Sequence, residues 1–390
     1  MSIGTRIATQ RKLAGWSQVQ LADRTNYALS TVKKVEQGRE PASPALVATV
    51  ARVLKVEPEE LTGTPYTETI EADGPLEGLS DLRAVLTEGQ YVQQVQPEPL
   101  DALFAEMDAI NKLYRNDKGR IALARLPILL RQAHGAVREA ASDEDRGRAF
   151  SLLSAGYVTA ERLFRRFGYM SLTTPAVDRL EWVGAQANDR LYAAQAKVKR
   201  ARLLMYLGAT DVSLSLVEQG LDDIAGDDEP AIAVRGYAHL AGAISAARGR
   251  RPDVARAHIA EARNLAQRIT GESDAYGTLF GVGNVGIHSC AVELEAGDPE
   301  RAAREGMALK LPAGIAPPRA GHHWQDTARG WLLAGQPTYA LDALNRARKV
   351  APQQTRLHPS VRETLRGIAE AERRRNESLA SFAGWVGMKI

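Results

Sequence analysis

Three features of this 390-residue sequence predict an all-α fold in two parts, a small helical head and a long array of helical hairpins. Apolar residues recur at spacings of three and four nearly throughout, and no stretch alternates apolar and polar residues as a half-buried strand does. Residues 1–62 hold five short periodic segments, whereas residues 77–390 hold segments of 12 to 25 residues broken by Gly, Pro or Asp. Between them, 63–76 carries prolines, glycines and acidic residues without periodicity, which is the composition of a linker.

Composition narrows the function classes. With 44% hydrophobic and 25% charged residues the chain can build a sizeable core. No run approaches the ~18 apolar residues of a membrane span, and the opening MSIGTRIATQRK lacks the apolar centre of a secretory signal, so a cytoplasmic location is expected. Cys290 is the single cysteine, which excludes an intrachain disulfide or a cysteine-built zinc cluster and reads as a packed core thiol. The net charge of +3 resides wholly in residues 1–62, where nine Lys or Arg face six Asp or Glu, while the remaining residues hold 41 of each sign. A basic head on a neutral body fits phosphate binding by the head.

In the head, Ile3, Ile7 and Leu13 predict a first helix closing at Ala14-Gly15. Ser17 caps a second, with Val19, Leu21 and Ala22 inside, ending near Thr25-Asn26. A third, Ala28 to Gln37, buries Val32 and Val35 and stops at Gly38. Ser43, between Pro41 and Pro44, caps a fourth carrying Leu46, Val47, Val50 and Val53-Leu54, and Pro58 opens a last turn around Leu61. Five short helices with a tight turn between the second and third match a helix-turn-helix layout.

The run Arg11, Gly15-Trp16-Ser17-Gln18, Leu21-Ala22, Ser30-Thr31-Val32, Val35-Glu36 and Gly38, followed by Pro41, Ser43 and Leu46, resembles the Cro/CI-type (XRE) family, whose head is a five-helix lambda-repressor-like domain. The resemblance implies binding to double-stranded DNA. It places Arg11 and Gln18 on phosphates and puts Leu29, Ser30, Thr31, Lys33 and Lys34 in the major groove, with Arg39 just beyond. Lys34 would then read a guanine and Leu29 a thymine methyl. Two positions depart from the family pattern: Ala28, where Ser or Thr often caps the recognition helix, and Tyr27, where a small aliphatic residue is common.

In the body, helices are predicted over 98–115, 119–140, 146–168, 175–187, 189–207 and 229–248. Trp324, Ala328, Trp331, Ala340, Leu344, Ala347 and Pro352 occupy positions 4, 8, 11, 20, 24, 27 and 32 of a unit that resembles a 34-residue tetratricopeptide repeat. Small residues at 328, 340 and 347 let two antiparallel helices approach, so stacked units form an α-solenoid, expected to be curved and right-handed. Looser copies follow Gly208, Gly249 and Gly297, and with Gly335 these turns are spaced by 41, 48 and 38 residues. In such repeats, positions 2, 5, 9 and 12 line a concave groove, which places His322, Gln325 and Arg329 there from the last unit, Asn284, Gln195 and Arg202 from earlier ones, and His239 between them.

No phosphate-binding glycine loop, nucleophile elbow or HExxH is present, and the His322-His323 pair lacks carboxylates at ligand spacing, so neither enzyme, metal nor cofactor is expected. Arg373–Arg375 read as a solvated helix face. The two-part layout resembles the peptide-sensing RRNPP regulators and related actinobacterial regulators. That resemblance implies a homodimer on an inverted-repeat operator, with a signalling peptide or small effector, as in quorum sensing, bound by the repeats. A regulator or scaffold whose repeats bind only a protein partner remains the alternative.

Overall fold

The computed structural model describes residues 2–40, 42–56, 58–62, 76–93, 95–371 and 377–388. Pro41, the linker from 63 to 75 and Arg373–Arg375 lie outside the described residues. The first five helices are α1 (Ile3–Leu13), α2 (Gln18–Thr25), α3 (Leu29–Glu36), α4 (Pro44–Leu54) and α5 (Pro58–Thr62), close to the spans the sequence predicts. Their ends are set locally. Ser17 and Gln20 form a reciprocal capping box at the start of α2, and the Ser43 hydroxyl accepts from the Leu46 amide at 3.1 Å to start α4.

One core holds these five together: Ile3 and Ile7 meet Leu21, Val32, Val35, Leu46, Val50 and Leu61. Gly4 is where α1 crosses α3, since a Cβ there would lie 1.9 Å from the Val35 carbonyl oxygen. Two expected core residues are instead exposed, Leu13 at 75% and Val19 at 50%. The buried stripe of α1 runs Ile3, Ile7, Arg11 at four-residue spacing, which leaves Leu13 on the far side. In α2 the buried residues are Leu21, Ala22 and Thr25, and Val19 sits two positions before Leu21, on the opposite face.

The body comprises α6 (Leu79–Glu88), α7 (Leu100–Arg115), α8 (Gly119–Glu139), α9 (Asp143–Phe167), α10 (Thr173–Gly184), α11 (Leu191–Tyr206), α12 (Thr210–Asp222), α13 (Glu229–Arg248) and α14 (Pro252–Ala266). It continues through α15 (Val282–Ala296), α16 (Pro299–Ala308), α17 (Pro317–Leu333), α18 (Pro337–Val350), α19 (Pro352–Leu357), α20 (Pro359–Ala371) and α21 (Glu377–Trp385). From α7 to α18 consecutive helices pair as hairpins, and α11, α13, α15 and α17 stack side by side as one layer. Ala328, Ala340 and Ala347 are fully buried between α17 and α18, with Trp324 and Trp331 packed on the same core. Cys290 is buried on α15, and burial pushes its thiol up to about 11. Among the described residues no helix is long and apolar enough to cross a membrane.

The body is not helical throughout. A two-stranded antiparallel ribbon, β1 (Glu272–Ser273) with β2 (Phe280–Gly281), links α14 to α15. Two residues per strand are too few to show alternation in sequence. The ribbon is anchored by Phe280, fully buried against Gly236 of α13, where even a Cβ would fall 2.0 Å from the ring.

The array curls until its ends meet. Asp117, at the turn between α7 and α8, accepts the amide hydrogens of Gln353 and Gln354 at 2.8 and 3.1 Å, capping the N-terminus of α19. The Arg120 amide donates to Gln353 Oε1 at 3.0 Å, and Leu357 packs against the core formed by α6 to α10. This closure turns the concave layer into the wall of a partly open cavity.

Within that core, His134 on α8 shares a hydrogen bond of 2.8 Å with the Tyr157 hydroxyl of α9. Burial first, then Arg138, Arg179 and Arg131, hold its ring at about 4, below the usual 6.5. Its unfolded form therefore binds the proton first as pH falls. The stability this gives the fold is complete above pH 6.5 and is lost on descent to about 4, amounting to about 3 kcal/mol. Urea unfolding of the wild type and His134→Gln across that window tests this: the variant's stability should fall less steeply, and identical slopes would remove His134 from the acid response.

Candidate nucleic-acid interface and internal cavity

The turn between α2 and α3 is made by Asn26, left-handed at φ 56°, a conformation asparagine tolerates. It projects α3 with Ser30, Lys33 and Lys34 exposed in the full chain, while Val32 and Val35 are buried beneath. Leu29 and Thr31 are half-buried, and Leu29 packs on the head core. Lys34 lies 3.7 Å from Glu40 and remains 59% exposed, and Arg39 is exposed just past the helix. Arg11 is placed differently. Its guanidinium is buried and forked on Glu36 at 2.6 and 2.8 Å, with a third bond of 2.6 Å to the Trp16 carbonyl. Gln18 donates to the same carboxylate at 2.8 Å, so both side chains are occupied in tying α1 and α2 to α3. Ala28 provides no side-chain cap for α3.

The body reaches this turn directly. Arg250, just past α13, donates to the Asn26 carbonyl and stacks 4.4 Å above the Tyr27 ring. Gly208, after α11, abuts Ala48 of α4.

The internal cavity, of about 280 Å³, is walled by α9, α11, α13, α15 and α17 and bordered by Gly277, Thr278 and Leu279 of the ribbon loop. Eight Lys or Arg line it against three carboxylates. Glu161 takes Lys199 at 2.8 Å and Arg165, and these cations hold it well below the usual carboxylate range although burial alone would raise it. Glu295 takes Arg329 at 2.6 Å and Arg248 at 3.4 Å. Arg162 pairs with Asp274, outside the lining, at 3.3 Å. Among the described residues Arg166, Arg202 and Arg319 are in ion-pair contact with no carboxylate. Arg202 donates to the Tyr237 hydroxyl at 2.5 Å, and Arg166 donates to the Tyr114 carbonyl at 3.1 Å.

The histidines do not add to the charge. Burial lowers His288 well below its usual value, and burial followed by His322 brings His358 to about 3. Neutral His288 sends its Nδ1 hydrogen to the Asn284 carbonyl at 2.9 Å, so that nitrogen has no lone pair to offer Arg319 at 3.3 Å. Arg319 Nε and Arg166 Nη1 have no hydrogen-bond partner within the described protein. Burial first, and neighbouring arginines with it, depress both guanidiniums below their ordinary values. Three tyrosines lie under arginines: Arg162 and Arg166 over Tyr114, Arg165 and Arg248 over Tyr206, Arg202 over Tyr237.

Residues 2–62 match the helix-turn-helix domain family. The head is a helix-turn-helix domain. No curated protein sequence matches the chain. Two solved structures are similar to it: BtubC (BKLC) from P. vanneervenii, 15% identical over 64% of this chain and 91% of that one, with a TM-score of 0.34; and PlcR of Bacillus thuringiensis in complex with the peptide PapR7 and DNA, 13% identical over 88% and 99%, with a TM-score of 0.32. In the helix-turn-helix domain, α2 and α3 are thus the two helices of the motif, and α3 is the one whose free face carries Ser30, Lys33 and Lys34.

Of the groove residues expected from the repeats, the structure brings Arg202, Asn284, His322 and Arg329 into the cavity wall. Gln195 is fully buried and donates to the Tyr276 carbonyl, His239 faces His258 at 3.0 Å, and Gln325 bonds to Thr355 at 3.4 Å, all outside the lining. Sequence reasoning missed Arg162, Arg165 and Arg166 because α9 carries no recognisable repeat register. Their signal was the run Glu161-Arg-Leu-Phe-Arg-Arg, charges at spacings of three and four after the uncharged stretch 149–160. Arg319 was legible by the same rule, three residues before His322 and ten before Arg329 on one helix.

Burial alone would raise the Tyr206 phenol, but Arg165, Arg202 and Arg248 bring it down to about 8. Ultraviolet titration should show a step near pH 8 in the wild type that Tyr206→Phe lacks. A wild-type curve without that step would contradict the cavity's positive potential.

Proposed function

We propose that this protein is a sequence-specific DNA-binding transcriptional regulator whose helical body dimerises and senses an effector in its internal cavity. The observation that carries the DNA reading is the exposed face of α3, where Ser30, Lys33 and Lys34 face solvent on a helix fixed from behind by Val32, Val35 and the Arg11–Glu36 fork. Lysine and serine donors on such a face suit base edges and phosphates. A twofold dimer would set two such helices about 34 Å apart, one turn of duplex, so the operator would be an inverted repeat. The effector reading rests on the cavity and on α13, whose end supplies Arg248 to the cavity and Arg250 to the helix-turn-helix domain two residues later.

Footprinting on the protein's own upstream DNA is the direct test. Protection of an inverted repeat is expected, with Lys33→Ala/Lys34→Ala losing at least about 1–3 kcal/mol of specific affinity and showing a shallower salt dependence. An unchanged footprint in that variant would remove α3 as the reading element. Arg250→Ala leaves α3 intact but releases Asn26 and Tyr27, so it should weaken operator binding by about threefold to tenfold through lost preorganisation. Wild-type affinity in Arg250→Ala would show that this contact does not set the domain's position on DNA.

A further inference from the structure

We propose that the cavity's ligand is a compact organic phosphate bearing at least two phosphate groups, an assignment that deepens the effector reading above and rests on it. The wall carries five more cations than carboxylates, or four once Asp274 behind Arg162 is counted, and its histidines are neutral, so the excess is fixed in guanidinium and ammonium groups. Guanidinium does not lose its proton in proteins, and a buried charge without a partner costs several kcal/mol, so such a cluster is costly unless an anion shares it. Arg166, 4% exposed, and Arg319 have nitrogen atoms without any partner and no carboxylate in ion-pair contact among the described residues. Their hydrogens are the open donors of the site.

Phosphate answers this arrangement better than carboxylate. Each phosphate monoester carries about −1.5 to −2 at neutral pH and presents three acceptor oxygens, so two of them offset most of the excess. Carboxylates would need four or five groups in a volume of about 280 Å³, near the lower limit for small-molecule sites. The arginine fork matches the phosphate edge with paired hydrogen bonds. Leu240, Ile244 and Ile287 also line the cavity, and this apolar surface suits an organic body attached to the phosphates.

The probes are inorganic pyrophosphate and citrate, titrated calorimetrically into the full chain at matched ionic strength. Pyrophosphate should bind at least about tenfold more tightly than citrate, and at least about tenfold more tightly to wild type than to Arg319→Gln or Arg166→Gln. Bound pyrophosphate should also move the tyrosine step from pH 8 upward, because it neutralises the arginines around Tyr206. Lys33→Ala/Lys34→Ala should bind it as wild type does. Citrate binding as tightly as pyrophosphate would overturn the phosphate assignment; binding lost in the Lys33→Ala/Lys34→Ala variant but kept in both arginine variants would put the site on the helix-turn-helix domain; absence of binding to wild type would overturn the site itself. Footprints with and without pyrophosphate separate the two readings: a bound cavity with an unchanged footprint sinks the regulatory role and upholds the ligand class.

Discussion

The closure of the hairpin array by Asp117 is the constraint on which the rest of the body depends. An open solenoid presents its concave layer to water, where lysine and arginine side chains are solvated and cost nothing to keep. Two amides of α19 bound to one carboxylate across more than 230 residues of chain bring the ends together instead. The same five helices then enclose their charges. Asp117 itself sits in a left-handed turn at φ 58°, and burial pushes its carboxyl up although Arg166 and the two amides pull against that shift. The ring therefore closes next to one of the two most poorly compensated arginines in the cavity.

That enclosure changes what the charges do. On the body's outer face, ion pairs such as Arg304–Glu300 are exposed and contribute little. Inside, Glu161 and Glu295 are each shared between two cations, and the tyrosines supply hydroxyl and ring partners for several arginines. The protein compensates five of its eight inner cations with carboxylates and leaves Arg166, Arg202 and Arg319 to weaker partners. A hydrophobic core of the same volume would be more stable. Arginines without a carboxylate partner around this cavity are what a bound anion would complete.

The sequence made the architecture readable and the cavity only partly so. Helix ends in the head could be placed because each is punctuated by a specific residue: Ser17, Asn26, Gly38, Ser43. The last hairpin could be placed because alanines at 328, 340 and 347 are required where two helices touch. What could not be read was any property arising from closure. Arg11 has the sequence of a phosphate contact, yet Glu36, 25 residues away, and the Trp16 carbonyl occupy it. Gln195 and Gln325 have the register of groove residues, yet the ribbon loop and α19 cover them, neither of which has a periodic signature. Arg162 and Arg166 look like a charged helix face until Tyr114 of α7 covers both and the ribbon loop covers Arg162. Periodicity reports which face of a helix differs from the others; it does not report whether that face meets water or another cationic wall.

The same geometry explains how an internal site and a distant helix can be energetically linked without a large motion. At the end of α13, Arg248 points into the cavity and Arg250 grips the Asn26 carbonyl and Tyr27, with only Gly249 between them. Glu295, which pairs with Arg248 in the cavity wall, is close enough to Tyr27 to act on its phenol, burial being the larger influence there and Arg250 opposing it. An anion competing for Arg248 would weaken its hold on Glu295 and shift the local field and position of the α13 terminus. The helix-turn-helix domain contacts that terminus at the turn that aims α3. Linkage requires only that the ligand prefer one of the two arrangements, and couplings between two sites are typically about 1–3 kcal/mol.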